Sequence, residues 1–178
     1  MLYMMLADGF EETEAVAALD IIRRAEIDIK TVGIGGRSIL GAHKITVLAD
    51  LEISETDFSD ISGIILPGGM PGTLNLEKNE KVRELILECD KENKLIAAIC
   101  AAPSILGNMG LLNGKRVTCF PGFEDTLTGA KVSDDLVCRD KNVITGKGAG
   151  AALCFGAEIA DYFKEGKGKK LLKQVQSI

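Results

Sequence analysis

The sequence predicts an α/β domain in which helices cover both faces of a mostly parallel β-sheet. Short apolar runs recur along the chain, segments with helical spacing separate them, and turn residues close most of the runs. Continuous apolar runs are typical of strands buried on both faces, and strands that alternate with helices form parallel sheets. The pattern therefore favours a right-handed, doubly wound sandwich of the flavodoxin-like type.

The first half of the chain supplies three predicted strands and two helices. Strands are predicted at residues 2–7, 29–34 and 63–66, with a short extended stretch at residues 45–48. Apolar residues on one helical face indicate the helices: Ala15, Ala18, Leu19 and Ile22 in the first, Val82, Leu85, Ile86 and Cys89 in the second. The segment 67–72, PGGMPG, ends the third strand because it cannot continue a strand or a helix.

The second half continues the alternation. Strands are predicted at residues 94–99, 117–120, 131–139 and 142–145, the last two paired near the sheet edge. Helices are predicted within residues 101–110, 148–163 and 167–176. No repeat, low-complexity tract or linker interrupts the chain, so residues 1–178 are expected to form a single domain. A chain of this length removes roughly 70% of its unfolded surface from water, which is sufficient for a core without disulfides or structural metal.

Charge and hydropathy exclude several classes of protein. The chain has 21 Lys and Arg against 26 Asp and Glu, a net charge of −5, and no basic run that could follow a phosphate backbone. Nucleic-acid binding is therefore not expected. No segment approaches the ~20 apolar residues that span a bilayer, so no membrane association is expected. The apolar run at residues 2–7 is too short for a signal peptide and runs into the acidic DGFEETE, which predicts a cytoplasmic protein.

Cysteine and histidine usage narrows the chemistry further. The five cysteines form no CxxC pair and no Cys/His ligand spacing, so neither a disulfide framework nor a metal site is predicted. The sole histidine is His43, and a Ser/His/Asp or Cys/His unit would have to use it. His43 lies between the second strand and the stretch at 45–48, where we expect a surface or dimer-contact residue rather than a catalyst.

Cys100 is the leading candidate nucleophile. It stands in AAICAAPS, where the strand at 94–99 meets the start of a helix, and such an elbow presents a side chain at the sheet edge. We expect the helix N-terminus to lower the thiol pKa, and the small Ala101 and Ala102 to leave backbone N–H groups free for an oxyanion. The alternative is a buried structural cysteine.

Two further loops follow strands at the same expected edge. Glu11, Glu12 and Glu14 follow the first strand; carboxylates in a first helical turn usually complement the helix dipole on a solvated surface. If one of them points at Cys100, burial would raise its pKa and it could donate a proton. Gly68 and Gly69 follow Pro67 and let the backbone approach a ligand, although a plain turn explains them equally well. No glycine-rich stretch completes a phosphate-binding motif, so no nucleotide cofactor is predicted.

Four motifs together carry a resemblance to a known family. ADGFEETEAV, IILPGG, LIAAICAAP and TGKGAGAALCFG, in this order and spacing, resemble the ThiJ/PfpI family over essentially the whole chain. Within it, they resemble the subgroup of the Parkinson's-disease-associated protein deglycase and its bacterial chaperone-like relatives. The resemblance implies a flavodoxin-like fold, similar to class I glutamine amidotransferases, and a homodimer.

The resemblance also implies roles for individual residues. Cys100 matches a nucleophilic, oxidation-sensitive cysteine, and Glu14 matches a glutamate held protonated against it. The backbone N–H groups of Gly69 and Ala101 match an oxyanion-binding pair, with Gly68 beside it. The implied activity is cofactor-free conversion of methylglyoxal to lactate or repair of early glycation adducts.

The sequence departs from parts of the family pattern. The protease-like branch has a histidine immediately after the cysteine, where this chain has Ala101, and the deglycase branch often has one before a proline, where this chain has Phe120. Peptidase activity is therefore disfavoured, and base chemistry falls to Glu14 or to a thiolate that forms without histidine. The competing hypothesis is a peroxide-sensing, chaperone-like stress protein in which Cys100 is oxidised without turnover. A role in thiamine-precursor metabolism is the least favoured, because no phosphate site is visible.

Overall fold

The computed structural model describes residues 1–177 of the chain. Its strands are β1 (Leu2–Leu6), β2 (Ile29–Gly33), β3 (Ser38–Leu40), β4 (Thr46–Leu48), β5 (Leu51–Glu52), β6 (Gly63–Leu66), β7 (Leu95–Ile99), β8 (Arg116–Val117), β9 (Lys131–Val132), β10 (Val137–Asp140) and β11 (Val143–Gly146). Its helices are α1 (Glu12–Arg24), α2 (Gly72–Lys78), α3 (Glu80–Lys91), α4 (Pro103–Asn108), α5 (Ala152–Phe163) and α6 (Lys167–Gln174). Among the described residues, no helix is long and apolar enough to cross a membrane.

A seven-stranded sheet forms the central layer, with the strand order β10-β11-β7-β6-β1-β2-β5. Its neighbouring strands are parallel except for the β10–β11 pair at one edge, which is antiparallel. The chain proceeds from β1 to one side of the sheet through β2 and β5, and then returns to β6 on the other side of β1. In such sheets, ligands bind at the carboxyl ends of the strands where the order reverses, here between β1 and β6.

Alternating side chains of the central strands build two cores. One face of the sheet, with Met5, Ile64 and Ile96, packs against α3 and α4, and the other, with Met4 and Ile65, packs against α1 and α5. Every residue of β1, β6 and β7 is buried, as predicted from their continuous apolar runs. The structure therefore confirms the doubly wound α/β prediction.

Several predicted element boundaries are wrong, and the backbone hydrogen bonds explain why. The strand expected at 117–120 stops at Val117, because the N–H of Thr118 binds Thr145 Oγ1 and the N–H of Phe120 binds the Cys100 carbonyl. The run 131–139 is split: β9 pairs with β8 in a separate small sheet, and a turn stabilised by a hydrogen bond from Ser133 to Asp135 precedes β10.

The remaining differences concern the starts of helices and some short strands. Helix α2 begins at Gly72, inside the segment expected only to interrupt structure, and α5 begins at Ala152 after a 3₁₀ turn at Ala149–Ala151. The prediction of an extended stretch at 45–48 is confirmed by β4, whereas β3 and β5 were not expected. Strands β3 and β4 form a separate hairpin whose turn, residues 41–45, approaches the start of α1.

Candidate active site

Three strand ends converge where the strand order reverses. The loop after β1 supplies Glu14 in the first turn of α1, the loop after β6 supplies Gly68 and Gly69, and β7 ends directly before Cys100. These strands are neighbours in the sheet, so their carboxyl ends lie side by side. The structure thus brings Cys100, Glu14, Gly68, Gly69 and Ala101 together.

Cys100 occupies a sharp turn, as the sequence predicts. Its backbone φ is +65°, a left-handed conformation that costs an L-residue roughly 1–2 kcal/mol. Two hydrogen bonds maintain it: the Cys100 N–H donates to the Gly146 carbonyl at 2.9 Å, and its carbonyl accepts from the Phe120 N–H at 2.9 Å. Because β11 and the segment after β8 hold the backbone on both sides, the half-buried thiol is presented at the sheet edge.

Glu14 lies on the buried side of α1, where its carboxyl group is close enough to the Cys100 thiol for each group to shift the pKa of the other. Its exposed fraction is 1%. Oε2 also accepts a hydrogen bond from the Gly68 N–H at 2.9 Å. The helix start is fixed by Glu11, whose carboxylate caps α1 by accepting from the Glu14 N–H at 2.7 Å.

The backbone N–H groups around the Cys100 sulfur have two different functions. The N–H groups of Gly69 and Ala101 lie near the Cys100 sulfur and act to lower its pKa. The Gly68 N–H is directed instead at Glu14. Gly69 and Ala101 remain the predicted oxyanion pair, whereas the Gly68 N–H binds the carboxyl group of Glu14.

Burial dominates the acid–base properties of this pair. It raises the pKa of Glu14 from 4.5 to about 7, and the charge of Glu11 adds to this effect, although the hydrogen bonds from Cys100 and Gly68 oppose it. Burial, and to a smaller extent the Glu14 carboxylate, raises the pKa of the Cys100 thiol to about 12. The Ala101 and Gly69 N–H groups act in the opposite direction and lower this pKa.

The expectation that a helix N-terminus lowers the pKa of Cys100 is therefore wrong. Helix α4 has only six residues and begins at Pro103, three positions beyond the cysteine. The two nearby N–H groups do favour the thiolate, but burial and the neighbouring carboxylate outweigh them. When Glu14 is protonated, it no longer repels the thiolate and can donate a hydrogen bond to the sulfur. A proton on Glu14 therefore favours ionisation of Cys100.

Glu12 makes a second contact network beside the site. Its carboxylate is buried and accepts hydrogen bonds from the N–H groups of His43 at 2.7 Å and Ile45 at 3.3 Å, and it contacts the His43 ring Nδ1 at 2.9 Å. Burial alone would raise the pKa of Glu12, but these hydrogen bonds lower it. Glu12 therefore holds the hairpin turn against the start of α1, and the expectation of a solvated position is wrong for this residue.

His43 is exposed, as expected, and its ring contacts acidic groups. The imidazole side chain is 69% exposed, and the hydrogen bond to Glu12 and the charges of Glu12 and Glu11 raise its pKa. Within residues 1–177, Glu11, Glu12 and His43 form the cluster whose ligand atoms lie close enough to hold a metal ion, within 4.8 Å of one another. Capping of α1 by Glu11 and docking of the turn by Glu12 account for both carboxylates without an ion.

Comparison with known proteins identifies the family of the chain. Residues 2–162 match the sequence model of the DJ-1/PfpI family. The chain is 33% identical over 175 residues to protein dj-1beta of Drosophila melanogaster, covering 97% of this chain and 92% of the fly protein. It is 29% identical over 164 residues to a deglycase of Pyrococcus abyssi, covering 90% of this chain and 98% of that protein.

The fold comparison gives the same result. The crystal structure of a mutant DJ-1 superfamily protein from Salmonella typhimurium has a TM-score of 0.92 and 31% sequence identity, covering 98% of this chain and 97% of the bacterial one. The resemblance noted in the sequence is therefore confirmed, and the chain belongs to the DJ-1/PfpI family.

Proposed function

We propose that the protein is a cofactor-independent glyoxalase or deglycase that acts on methylglyoxal or on early glycation adducts through Cys100. The observation that carries this proposal is the convergence of a thiol, a buried carboxyl group with a pKa near 7 and two N–H groups at one point. Nucleophile, proton carrier and oxyanion donors are the parts that addition to a carbonyl requires. The deglycase relative in Pyrococcus abyssi supports the same reaction class.

The reaction begins with addition of the Cys100 sulfur to the aldehyde carbon of methylglyoxal. A C–S bond forms and the carbonyl π bond breaks. Glu14 accepts the thiol proton and passes it to the resulting hemithioacetal oxygen, which leaves Glu14 as a carboxylate. The N–H groups of Gly69 and Ala101 stabilise the negative charge on that oxygen before it is protonated.

Glu14 then transfers a proton within the bound intermediate. Its carboxylate removes the hydrogen from the former aldehyde carbon, and its acid form returns a proton to the neighbouring ketone carbon. The hydroxyl proton on the first carbon passes to the oxygen of the second, which gives a thioester of lactate. The first carbon is oxidised and the second reduced, so no external oxidant or cofactor is needed. Water hydrolyses the thioester, releasing lactate and the free thiol.

The site residues argue against peptidase chemistry. The position after the nucleophile is Ala101, and the position before Pro121 is Phe120, so neither supplies an imidazole. His43 lies in the hairpin turn against Glu12 rather than at the sulfur. Proton transfer is accordingly assigned to Glu14.

Lactate formation from methylglyoxal by the purified protein tests the proposal. We expect Cys100→Ala to abolish turnover and Glu14→Gln to reduce it by at least a hundredfold, since general acid–base groups contribute typically 10²–10⁴-fold. Cys154→Ala, a half-buried thiol on α5, is the matched control and should retain wild-type turnover. Equal turnover in the wild type and Cys100→Ala would overturn the proposal.

A second candidate function rests on the same contacts. The two N–H groups and the Glu14 carboxyl group that surround the Cys100 sulfur would also stabilise a sulfinate, as a peroxide-sensing stress protein requires. Two equivalents of hydrogen peroxide add two oxygen atoms to the sulfur and release two waters. Mass spectrometry after limited peroxide separates the two candidates: selective dioxidation of Cys100 without aldehyde consumption favours the sensor.

We further propose a homodimer in the cytoplasm. Family membership supports the dimer, and analytical ultracentrifugation tests it directly. All five cysteines are free thiols, which fits a reducing compartment.

A further inference from the structure

The buried strand β11 contains one hydroxyl group, that of Thr145. Thr145 has an exposed fraction of 0%, and a hydroxyl at such a position is costly unless it is hydrogen-bonded. Its Oγ1 accepts a hydrogen bond from the N–H of Thr118 at 2.9 Å. This contact joins β11 to residues 118–120, a segment after β8 that belongs to no helix or strand.

Residues 118–120 in turn hold the carbonyl side of the sharp turn at Cys100. The Phe120 N–H donates to the Cys100 carbonyl at 2.9 Å. Cys119, which lies between the two hydrogen-bonded positions, is 3% exposed. The segment is therefore anchored at both ends and buried in the middle, so the position of the Phe120 N–H depends on the acceptor at Thr145.

The amide side of the same turn is held by the residue that follows Thr145. The Cys100 N–H donates to the Gly146 carbonyl at 2.9 Å, and Gly146 is paired with Ile99 in the register of β7 and β11. Both backbone hydrogen bonds of Cys100 thus lead back to the end of β11. A residue with a φ of +65° keeps that conformation only where its surroundings hold it, so these two bonds are needed.

The hydrogen bond to the Cys100 carbonyl also orients the predicted oxyanion donor. The Cys100 carbonyl and the Ala101 N–H belong to one trans peptide unit, which is planar, so the two groups point in opposite directions. A donor that fixes the carbonyl therefore fixes the N–H as well. The Ala101 N–H lies near the sulfur and acts to lower the pKa of the Cys100 thiol, as this orientation requires.

We propose that Thr145 is a positioning residue whose hydroxyl oxygen, through residues 118–120, holds the peptide unit between Cys100 and Ala101 with its N–H directed into the active site. This inference rests on the proposed function, because it assigns a further residue to the same site. Thr145 acts through the backbone and is given no contact with the substrate.

The exchange Thr145→Val tests the inference, since it keeps the shape of the side chain and removes the acceptor of the Thr118 N–H. We expect kcat for lactate formation to fall at least about tenfold, with KM for methylglyoxal nearly unchanged. Complete removal of an oxyanion donor typically costs 10²–10³-fold in kcat, and here the donor is displaced rather than removed. Thr145→Ser retains a hydroxyl oxygen and should stay within about twofold of the wild type.

Thr73→Val on α2 is the matched control. Thr73 is as buried as Thr145, but its hydroxyl has no hydrogen-bond partner among residues 1–177. Replacing an unpartnered buried hydroxyl by a methyl group is nearly neutral or stabilising. The control should therefore retain the wild-type kcat.

Alkylation of Cys100 by iodoacetamide gives a measurement that needs no turnover. Its rate at fixed pH follows the thiolate fraction, and mass spectrometry of the peptide that contains Cys100 separates it from the other cysteines. Displacement of the Ala101 N–H removes a group that favours the thiolate, so Thr145→Val should react at least about threefold more slowly. Thr145→Ser and Thr73→Val should react at the wild-type rate.

The alkylation rates separate failure of the inference from failure of the proposed function. Slower alkylation of Thr145→Val, in a protein whose wild type forms no lactate, would retain the positioning role and overturn the proposed function. Alkylation of Thr145→Val as fast as that of the wild type, or equal slowing in Thr145→Ser, would overturn the positioning role.

Hydrogen exchange in the wild type decides the case in which Thr145→Val does not fold. Thr118 and Phe120 lie outside the strands, so their N–H groups are protected by the two hydrogen bonds to Thr145 and Cys100 rather than by a sheet. Both should exchange as slowly as the N–H groups of β11. Exchange of either one at the rate of an unstructured peptide would overturn the inference.

Discussion

The Gly68 N–H donates a 2.9 Å hydrogen bond to Oε2 of Glu14, across the gap between β6 and α1. This contact fixes the carboxyl group that faces the Cys100 sulfur. It also requires glycine, because a Cβ at position 68 would stand 2.7 Å from Glu14 Oε2 and 2.7 Å from the Cys100 Cβ. The distance between Cys100 and Glu14 therefore depends on the absence of a side chain at Gly68.

Gly68→Ala should separate Cys100 from Glu14. The added methyl group cannot be accommodated at 2.7 Å from both side chains, so one of them must move. Since a misplacement of about 1 Å can cost 10²-fold in rate, we expect lactate formation to fall roughly a hundredfold. Enzyme assays combined with thermal denaturation measure both the activity and the stability of the variant.

Gly166→Ala is the matched control for that substitution. Gly166 has a φ of +73° and nothing within 4 Å of its Cβ position, far along the chain from the site. The alanine should lower stability through backbone strain alone and leave turnover unchanged. Wild-type activity in Gly68→Ala would show that the glycine does not set the Cys100–Glu14 distance.

Glu14→Gln should change how stability depends on pH. The pKa of Glu14 is raised from 4.5 to about 7 in the folded state, so the folded protein binds the proton more tightly than the unfolded chain. The stabilisation is complete below pH 4.5 and is lost as pH rises to 7, a total of about 3 kcal/mol. Glutamine stays neutral throughout, so the stability of the Glu14→Gln protein should fall less across this range.

Guanidinium denaturation at pH 5 and pH 8 measures this difference. Glu84→Gln, an exchange at an exposed carboxyl group on α3, is the control and should keep the wild-type pH dependence. If Glu14→Gln and the wild type lose the same free energy of unfolding between the two pH values, Glu14 does not hold a proton near neutrality.

Glu12→Ala should release the β3–β4 hairpin. The substitution leaves the N–H groups of His43 and Ile45 without their acceptor at a partly buried position, and we expect a loss of about 1–3 kcal/mol. Because hydrogen bonds lower the pKa of Glu12 below 4.5, this stabilisation is present above pH 4.5 and is lost as pH falls further. Hydrogen exchange should accelerate in residues 38–48.

His43→Ala isolates the contribution of the ring in that network. It removes the contact between Nδ1 and Glu12 but keeps the two backbone hydrogen bonds, so it should accelerate exchange in the hairpin much less than Glu12→Ala. Equal effects of the two substitutions would mean that the exposed ring, and not the buried carboxylate, holds the turn.

The fold was predictable where burial determines the sequence pattern. Strands β1, β6 and β7 are covered on both faces, so their apolar runs are continuous and easily recognised. Strands β5, β8 and β9 have two residues each, and their partners are distant in the chain. At that length the partner, rather than local propensity, determines the strand.

The site residues were predictable where they come directly after the carboxyl ends of strands. Cys100 and Glu14 come after β7 and β1, two parallel strands separated only by β6, and the order of the sheet brings them to one edge. The contact between Glu12 and His43 was not predictable, because it joins residues 31 positions apart through a hairpin whose docking no local pattern indicates. The raised pKa of Cys100 likewise depends on burial that the sequence does not express.

Substitutions of Cys100 by glycine and by alanine should reveal the strain of the elbow. At a φ of +65° alanine bears the left-handed cost and glycine does not, so we expect Cys100→Gly to be more stable than Cys100→Ala by about 1 kcal/mol. Cys154 in helix α5 is the matched control, where glycine should be less stable than alanine by about 1 kcal/mol. Guanidinium denaturation of the four variants measures both differences. Opposite signs at the two positions establish that the nucleophile is held in a strained backbone, and the same sign at both would refute it.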